Sequence, residues 1–276
     1  MEMELWYTEK QTPNVGITCK VKETLWRCQT DYQELAVLDT FQFGRILLLD
    51  GMVQATAADE FVYHEMIVHV PMCTHPAPKT VVVVGGGDGG TVREICKYPS
   101  VEKVILVEID AQVVEAARKF FPEIACSLDD PRVEICYADG IEYIRSLDSF
   151  CDLIIVDSTE PVGPAIGLFD TPFYQSVFKA LKEDGILVAQ TESPFFNAEL
   201  IRNVFSRVKS VFPSSYFYLA SVPTYPSGLW SFTMGSKKYD PQKPEGTFIP
   251  QNTRYYWPGI HKSSLILPRF VQELLE

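Results

Sequence analysis

The chain has 276 residues, 46% of them hydrophobic and 22% charged, with a formal net charge of −12. That length accommodates one full domain and a smaller one. The acidic balance argues against a nucleic-acid partner held through its phosphates and favours a cationic ligand. No apolar run approaches the ~20 residues needed to span a bilayer. The opening "MEMELWYTEK" lacks the basic and apolar regions of a secretory signal. A cytoplasmic location with no membrane partner is therefore expected. The seven cysteines are scattered without a C-x-x-C pair and read as reduced thiols acting as small hydrophobes. Four histidines, with His64 and His69 five positions apart, do not form a metal-ligand pattern, so no metal is expected.

From Gly16 to Ala57 the chain reads as short strands with turn signals between them. Asp50-Gly51, between "RILLL" and "MVQATA", is a hairpin signal. Residues 1–58 are thus expected to form a small antiparallel β domain. The stretch "DEFVYHEMIVHVPM" carries a helical pattern, with Asp59 as the expected N-cap and Pro71 as the stop.

From Thr80 onward strands and helices alternate. The expected strands are "TVVVVG", "KVILVEID", "VEICYAD", "CDLIIVDS" and "ILVAQTE", followed by "SSYFYLASV" and "LWSFTMGS". Helices are expected at 111–121, from Thr171-Pro172 to near Gly185, and at 197–212. Residues 59–276 therefore read as a doubly wound, Rossmann-like α/β domain.

In such a domain ligands bind beyond the carboxyl ends of the strands. Acids recur there: Asp88, Glu108, Asp139, Asp157 with Glu160 three residues on, and Glu192. Glu108 stands 21 residues after Gly87, the spacing of an acid that grips ribose hydroxyls. Asp139 is placed to accept a hydrogen bond from an exocyclic amine such as that of adenine. Both point to an adenosyl group. Asp88 interrupts the glycine loop "GGGDGG", where a carboxylate would repel a phosphate. With Asp157 and Glu160 it calls for a cation, because crowded carboxylates raise one another's pKa unless neutralised. A sulfonium nucleoside and a polyamine satisfy both requirements.

The motifs "GGGDGG", "EID", "ADG", "DSTEPVGPA" and "PTYPSGLW", with "LDGMVQATAADEFVYHEM" upstream, resemble the aminopropyltransferases, specifically spermidine synthases of the bacterial type, over nearly the whole chain. The resemblance implies a methyltransferase-type Rossmann-like fold. It also implies transfer of the aminopropyl group of decarboxylated S-adenosylmethionine to putrescine, giving spermidine and 5′-methylthioadenosine. No cofactor beyond that co-substrate is implied. Gln33, Gly85, Gly87, Glu108, Asp139, Gly140 and Pro164 would hold the nucleoside. Gln54, His64, Asp88, Asp157, Ser158, Thr159 and Glu160 would face the polyamine. Asp157 would take the proton, with Tyr63 and Tyr225 placing the attacking nitrogen. His64 departs from members that carry glutamine there, and Glu160 from members with aspartate. A homodimer or homotetramer is the family expectation.

Alternatives remain open at this level. An S-adenosylmethionine-dependent amine methyltransferase shares the fold and nucleoside, although such enzymes commonly place an acid near the end of strand one, where this chain has Val81 to Val84. A non-catalytic polyamine-binding protein, a nicotinamide dehydrogenase and an aminopropyltransferase with another acceptor are the others. Glu192 is a candidate for a distal amine. The segment "DSTEPVGPAIGLFD" is expected to act as a lid.

Overall fold

The computed structural model describes residues 4–159 and 167–276. Half of the lid segment, residues 160–166, lies outside the described residues, and with it the candidates Glu160 and Pro164.

The first sheet is antiparallel, in the order β1 (Leu5–Thr12), β2 (Val15–Gln29), β3 (Glu34–Thr40), β4 (Gly44–Leu49) and β5 (Met52–Thr56). Asp50 and Gly51 turn the β4–β5 hairpin, with φ of 49° and 77° and Leu49 facing Met52. Positive φ at both positions is what a two-residue hairpin of this twist requires. Leu35, Val37, Leu47 and Leu49 pack this sheet against Val113, Ala116 and Phe121, in or just after α3 (Ala111–Phe120). The small sheet is thereby fixed beside the nucleotide-type domain.

Helix α1 (Glu60–Thr74) leads into the second sheet. It runs three residues past Pro71, contrary to the expected stop, and ends with the His75 N–H donating to the Pro71 carbonyl. Asp59 precedes the helix but does not cap it with its side chain. Its carboxylate instead accepts from Thr56 Oγ1 at 2.6 Å and from Thr224 N and Oγ1 at 2.9 and 2.7 Å. Two tertiary donors outcompete the local cap.

The second sheet comprises β6 (Thr80–Gly85), β7 (Lys103–Glu108), β8 (Val133–Tyr137), β9 (Cys151–Asp157), β10 (Leu181–Gln190), β11 (Ser214–Ser221) and β12 (Leu229–Ser236), in the order β11-β12-β10-β9-β6-β7-β8. β8 through β10 run parallel, and β12 is antiparallel to both β10 and β11. The apolar runs are buried on both sides, as parallel strands require. Val81 and Val83 face α1 and α2 (Gly90–Cys96). Val82 and Val84 face α4 (Gly140–Arg145), α5 (Thr171–Ala180) and α6 (Ala198–Val211). Helix α5 ends at Ala180, before the expected Gly185, because Leu181 already pairs with Cys151 as the first residue of β10. Two short C-terminal helices, α7 (Pro258–Ser264) and α8 (Arg269–Leu275), complete the chain.

Strand order reverses at β6, between β7 and β9. That switch point opens a crevice at the carboxyl ends of the strands, and the first sheet closes one side of it.

Candidate active site

A deep cleft lies at this switch point. Its walls include Gln33, Gln54, Tyr63, Gly85, Gly87, Asp88, Glu108, Asp139, Gly140, Asp157, Ser158, Thr159, Glu192 and Tyr225. The structure therefore gathers nearly all the described candidates into one crevice. Glu9 of β1 also lines it, as a further acid from the opposite sheet.

Asp157 ends β9, opposite Gly85 of β6. Its Oδ1 accepts from Tyr63 Oη and its Oδ2 from Thr91 Oγ1, both at 2.6 Å. The glycine loop exists in part to admit this carboxylate. A Cβ on Gly85 would stand 2.2 Å from the Asp157 carbonyl oxygen, and one on Gly86 would stand 2.6 Å from Asp157 Oδ2. Both glycines also have positive φ, 78° and 72°, which L side chains disfavour. Burial, with Asp88 nearby, raises the Asp157 pKa above the ordinary carboxylate value.

Asp88 turns its Oδ1 to the Gly90 N–H at 2.8 Å and its Oδ2 toward His64 Nε2 at 3.3 Å. Burial acts to raise its pKa, but the His64 charge and hydrogen bond outweigh it and hold the group below its ordinary value. The two cleft aspartates are thus driven in opposite directions, the pattern that separates acid-base roles within one site. His64 itself does not line the cleft. It is 2% exposed and stands behind Asp88, bonded to Glu60. Its Nε2 lies 3.3 Å from Asp88 Oδ2, so the ring adjoins one of the cleft acids.

Glu108 ends β7 and accepts from Gly87 N at 3.1 Å and Asp110 N at 2.9 Å. Burial pushes its pKa up to about 7. Gln33 donates to Asp110 Oδ2, which also accepts from Thr30 Oγ1. Asp139 caps α4 through Ile141 N and Glu142 N, with Gly140 pressed against Val84. Tyr225 donates to the Gln54 carbonyl, and its ring meets Tyr63 edge-on at 5.6 Å between centroids. Ser158 lends its carbonyl to Gln190 Nε2 at 3.0 Å, while its buried hydroxyl has no hydrogen-bond partner among the described residues. Glu192 is buried, with φ of 68°.

Sequence reasoning missed Thr91, Glu9, Gln190 and Trp230. Thr91 directly follows the glycine loop and was findable there. Glu9 sits on a strand without a motif and becomes visible only when the sheets are assembled.

Among the described residues, the cluster of three metal-ligand types is His75, Asp152 and Asp184. It lies away from the cleft. Asp152 is already occupied by the Lys79 and Thr80 N–H groups and the Lys182 ammonium. No helix among the described residues is long and apolar enough to cross a membrane.

Residues 60–244 match the spermine/spermidine synthase domain, and residues 5–57 match the spermidine synthase tetramerisation domain. A polyamine aminopropyltransferase of Caldicellulosiruptor saccharolyticus is 58% identical over 276 residues, 100% of this chain and 99% of that protein. The Bacillus subtilis protein of the same name is 56% identical over 274 residues, 99% of each. A spermidine synthase crystal structure in complex with the transition-state analogue AdoDATO superposes with a TM-score of 0.93 at 43% identity, covering 98% of this chain and 94% of that one. The Thermotoga maritima spermidine synthase gives 0.90 at 42%, with coverage of 98% and 94%. The class is thus an α/β transferase with a Rossmann-like sheet behind a small antiparallel one. More narrowly, the chain belongs to the spermine/spermidine synthase family and is an aminopropyltransferase.

Proposed function

We propose that this protein is a spermidine synthase, transferring the aminopropyl group of decarboxylated S-adenosylmethionine to putrescine. The observation that carries the reading is the pairing of Asp88 and Asp157 beside Tyr63 and Tyr225, in a cleft that also holds Glu108 at the end of β7. Glu108 and Gln33 suit the ribose, Asp139 and Gly140 the adenine, and the two aspartates the cationic chain. Gln54, Ser158 and Thr159 continue the amine wall.

In the reaction the amine nitrogen attacks the methylene carbon attached to the sulfonium. A C–N bond forms, the C–S bond breaks, and sulfur leaves as a neutral thioether. The nitrogen must also lose a proton. Free in water, an alkylammonium near pKa 10.4 and an aspartate near 3.9 differ by about 9 kcal/mol. Burial and the Asp88 charge raise Asp157, while the adjacent sulfonium lowers the amine, so the gap narrows from both ends. Asp157 orients the ammonium first and takes its proton as the new bond forms. On this reading Asp88 would face the extra carboxylate of intact S-adenosylmethionine. At about 4 Å and an effective dielectric near 20 that repulsion is worth roughly 4 kcal/mol. Assembly as a homo-oligomer through residues 5–57 is supported by the tetramerisation-domain match.

The test is a panel of putrescine, cadaverine and spermidine, each incubated with decarboxylated S-adenosylmethionine and followed by product mass. Putrescine should turn over fastest. Turnover of none of the amines would overturn the reading, and a clear preference for spermidine would reassign the acceptor.

A further inference from the structure

The two oxygens of the Asp157 carboxylate meet different surroundings. Oδ1 accepts from Tyr63 Oη at 2.6 Å, and Tyr63 lines the cleft. Oδ2 accepts from Thr91 Oγ1, also at 2.6 Å. Thr91 stands in the first turn of α2, is fully buried and is not among the residues that line the cleft. Oδ2 is also wedged against the glycine loop, since a Cβ on Gly86 would stand 2.6 Å from it. Each carboxylate oxygen offers about two lone-pair sites. On Oδ2 Thr91 takes one and the Gly86 backbone crowds the other. On Oδ1 Tyr63 takes one, which leaves the second for a substrate.

We propose that Thr91 is a positioning residue for the aminopropyl transfer: its hydroxyl pins the inner oxygen of Asp157 against the glycine loop and thereby leaves Oδ1, beside Tyr63, as the atom that receives the proton. In that step an N–H bond of the attacking amine breaks and an O–H bond forms at Oδ1, while the C–N bond forms and the C–S bond breaks. Thr91 acts through Asp157. The inference rests on the reading of Asp157 as the proton acceptor.

The groups that face this carboxyl come from several elements. Tyr63 and His64 belong to α1, Asp88 to the loop after β6 and Thr91 to α2. Glu192, just past β10, lines the same cleft, as does Tyr225, whose ring meets Tyr63. Burial and the Asp88 charge raise the Asp157 pKa, while the His64 charge and the Thr91 and Tyr63 hydrogen bonds oppose that rise. A hydroxyl donor favours the anion over the acid. Removing the Thr91 hydroxyl therefore removes one opposing influence, and the pKa climbs further.

The test is a titration of the Asp157 carboxyl in the free enzyme, followed by 13C NMR with labelled aspartate and assigned through Asp157→Asn. Thr91→Val keeps the side-chain shape and loses the donor. Its Asp157 pKa should rise by about one unit, the scale of one hydrogen bond to a charged group. Its kcat should fall by about tenfold on the same scale, with the affinity for 5′-methylthioadenosine unchanged. Thr91→Ser restores the hydroxyl and should return both quantities towards wild type. Should the valine variant not fold, Thr91→Ala removes the same hydroxyl and is read in the same way. An unmoved Asp157 titration without the hydroxyl, or a serine variant as impaired as the valine one, would make Thr91 a packing residue and overturn the proposal. The titration uses no substrate, so that failure is distinct from an absence of aminopropyl transfer, which would overturn the reading of the reaction instead.

Discussion

Asp157 accepts hydrogen bonds on both carboxylate oxygens, from Tyr63 and Thr91, and lies against backbone that tolerates no Cβ. Such fixation suits a group that must meet a substrate nitrogen at one point. Asp157→Asn retains the shape and loses the basic oxygen. Its kcat should fall by about 100-fold or more, the lower range for a lost general base. The affinity for 5′-methylthioadenosine, measured by calorimetry, should stay within a few-fold. Activity within tenfold of wild type would remove Asp157 from the proton transfer. The acids at strand ends were legible in the sequence, because a carboxylate after an apolar run is a local signal. Their partners were not. Thr91, Glu60 and Arg93 acquire meaning only through contacts across elements, and the buried His64 meets Asp88 only once α1 and the glycine loop are assembled.

At the scale of elements, the glycine loop and α1 work together. The sequence suggested glycines cleared for a nucleoside. The structure adds that each makes room for a protein group: Gly85 and Gly86 for Asp157, Gly87 for Glu108 and Gly90 for His64. Helix α1 was legible from its pattern and starts where expected, after Asp59, but its end was misread. Pro71 lies inside it, and Asp59 ties its start to the loop carrying Tyr225 through Thr224. Asp59→Ala should cost about 1–3 kcal/mol of stability by leaving buried donors unpaired. It should also raise KM for the amine while leaving nucleoside affinity unchanged, because Tyr225 is the side chain released. A lower Tm with an unaltered amine KM would limit Asp59 to a structural role.

For the molecule as a whole, the two sheets and the strand alternation were readable from apolar periodicity, the Asp50-Gly51 turn and the change of regime near Thr80. The way the sheets meet was not. It depends on Leu35, Val37, Leu47 and Leu49 finding Val113, Ala116 and Phe121, apolar side chains with no mutual signature along the chain. That contact brings Gln33, Gln54 and Glu9 to the cleft and completes its second wall. The resulting crevice is acidic on several sides, suited to a ligand with positive charge and unsuited to one bearing an extra carboxylate. The most direct measurement offers the enzyme putrescine with either decarboxylated or intact S-adenosylmethionine and weighs the products. Aminopropyl transfer to give spermidine is expected with the former, faster by about a thousandfold than any reaction with the latter, the factor that a repulsion of roughly 4 kcal/mol at Asp88 supplies. Methylated putrescine formed from the intact nucleoside, with no spermidine from the decarboxylated one, would contradict the account.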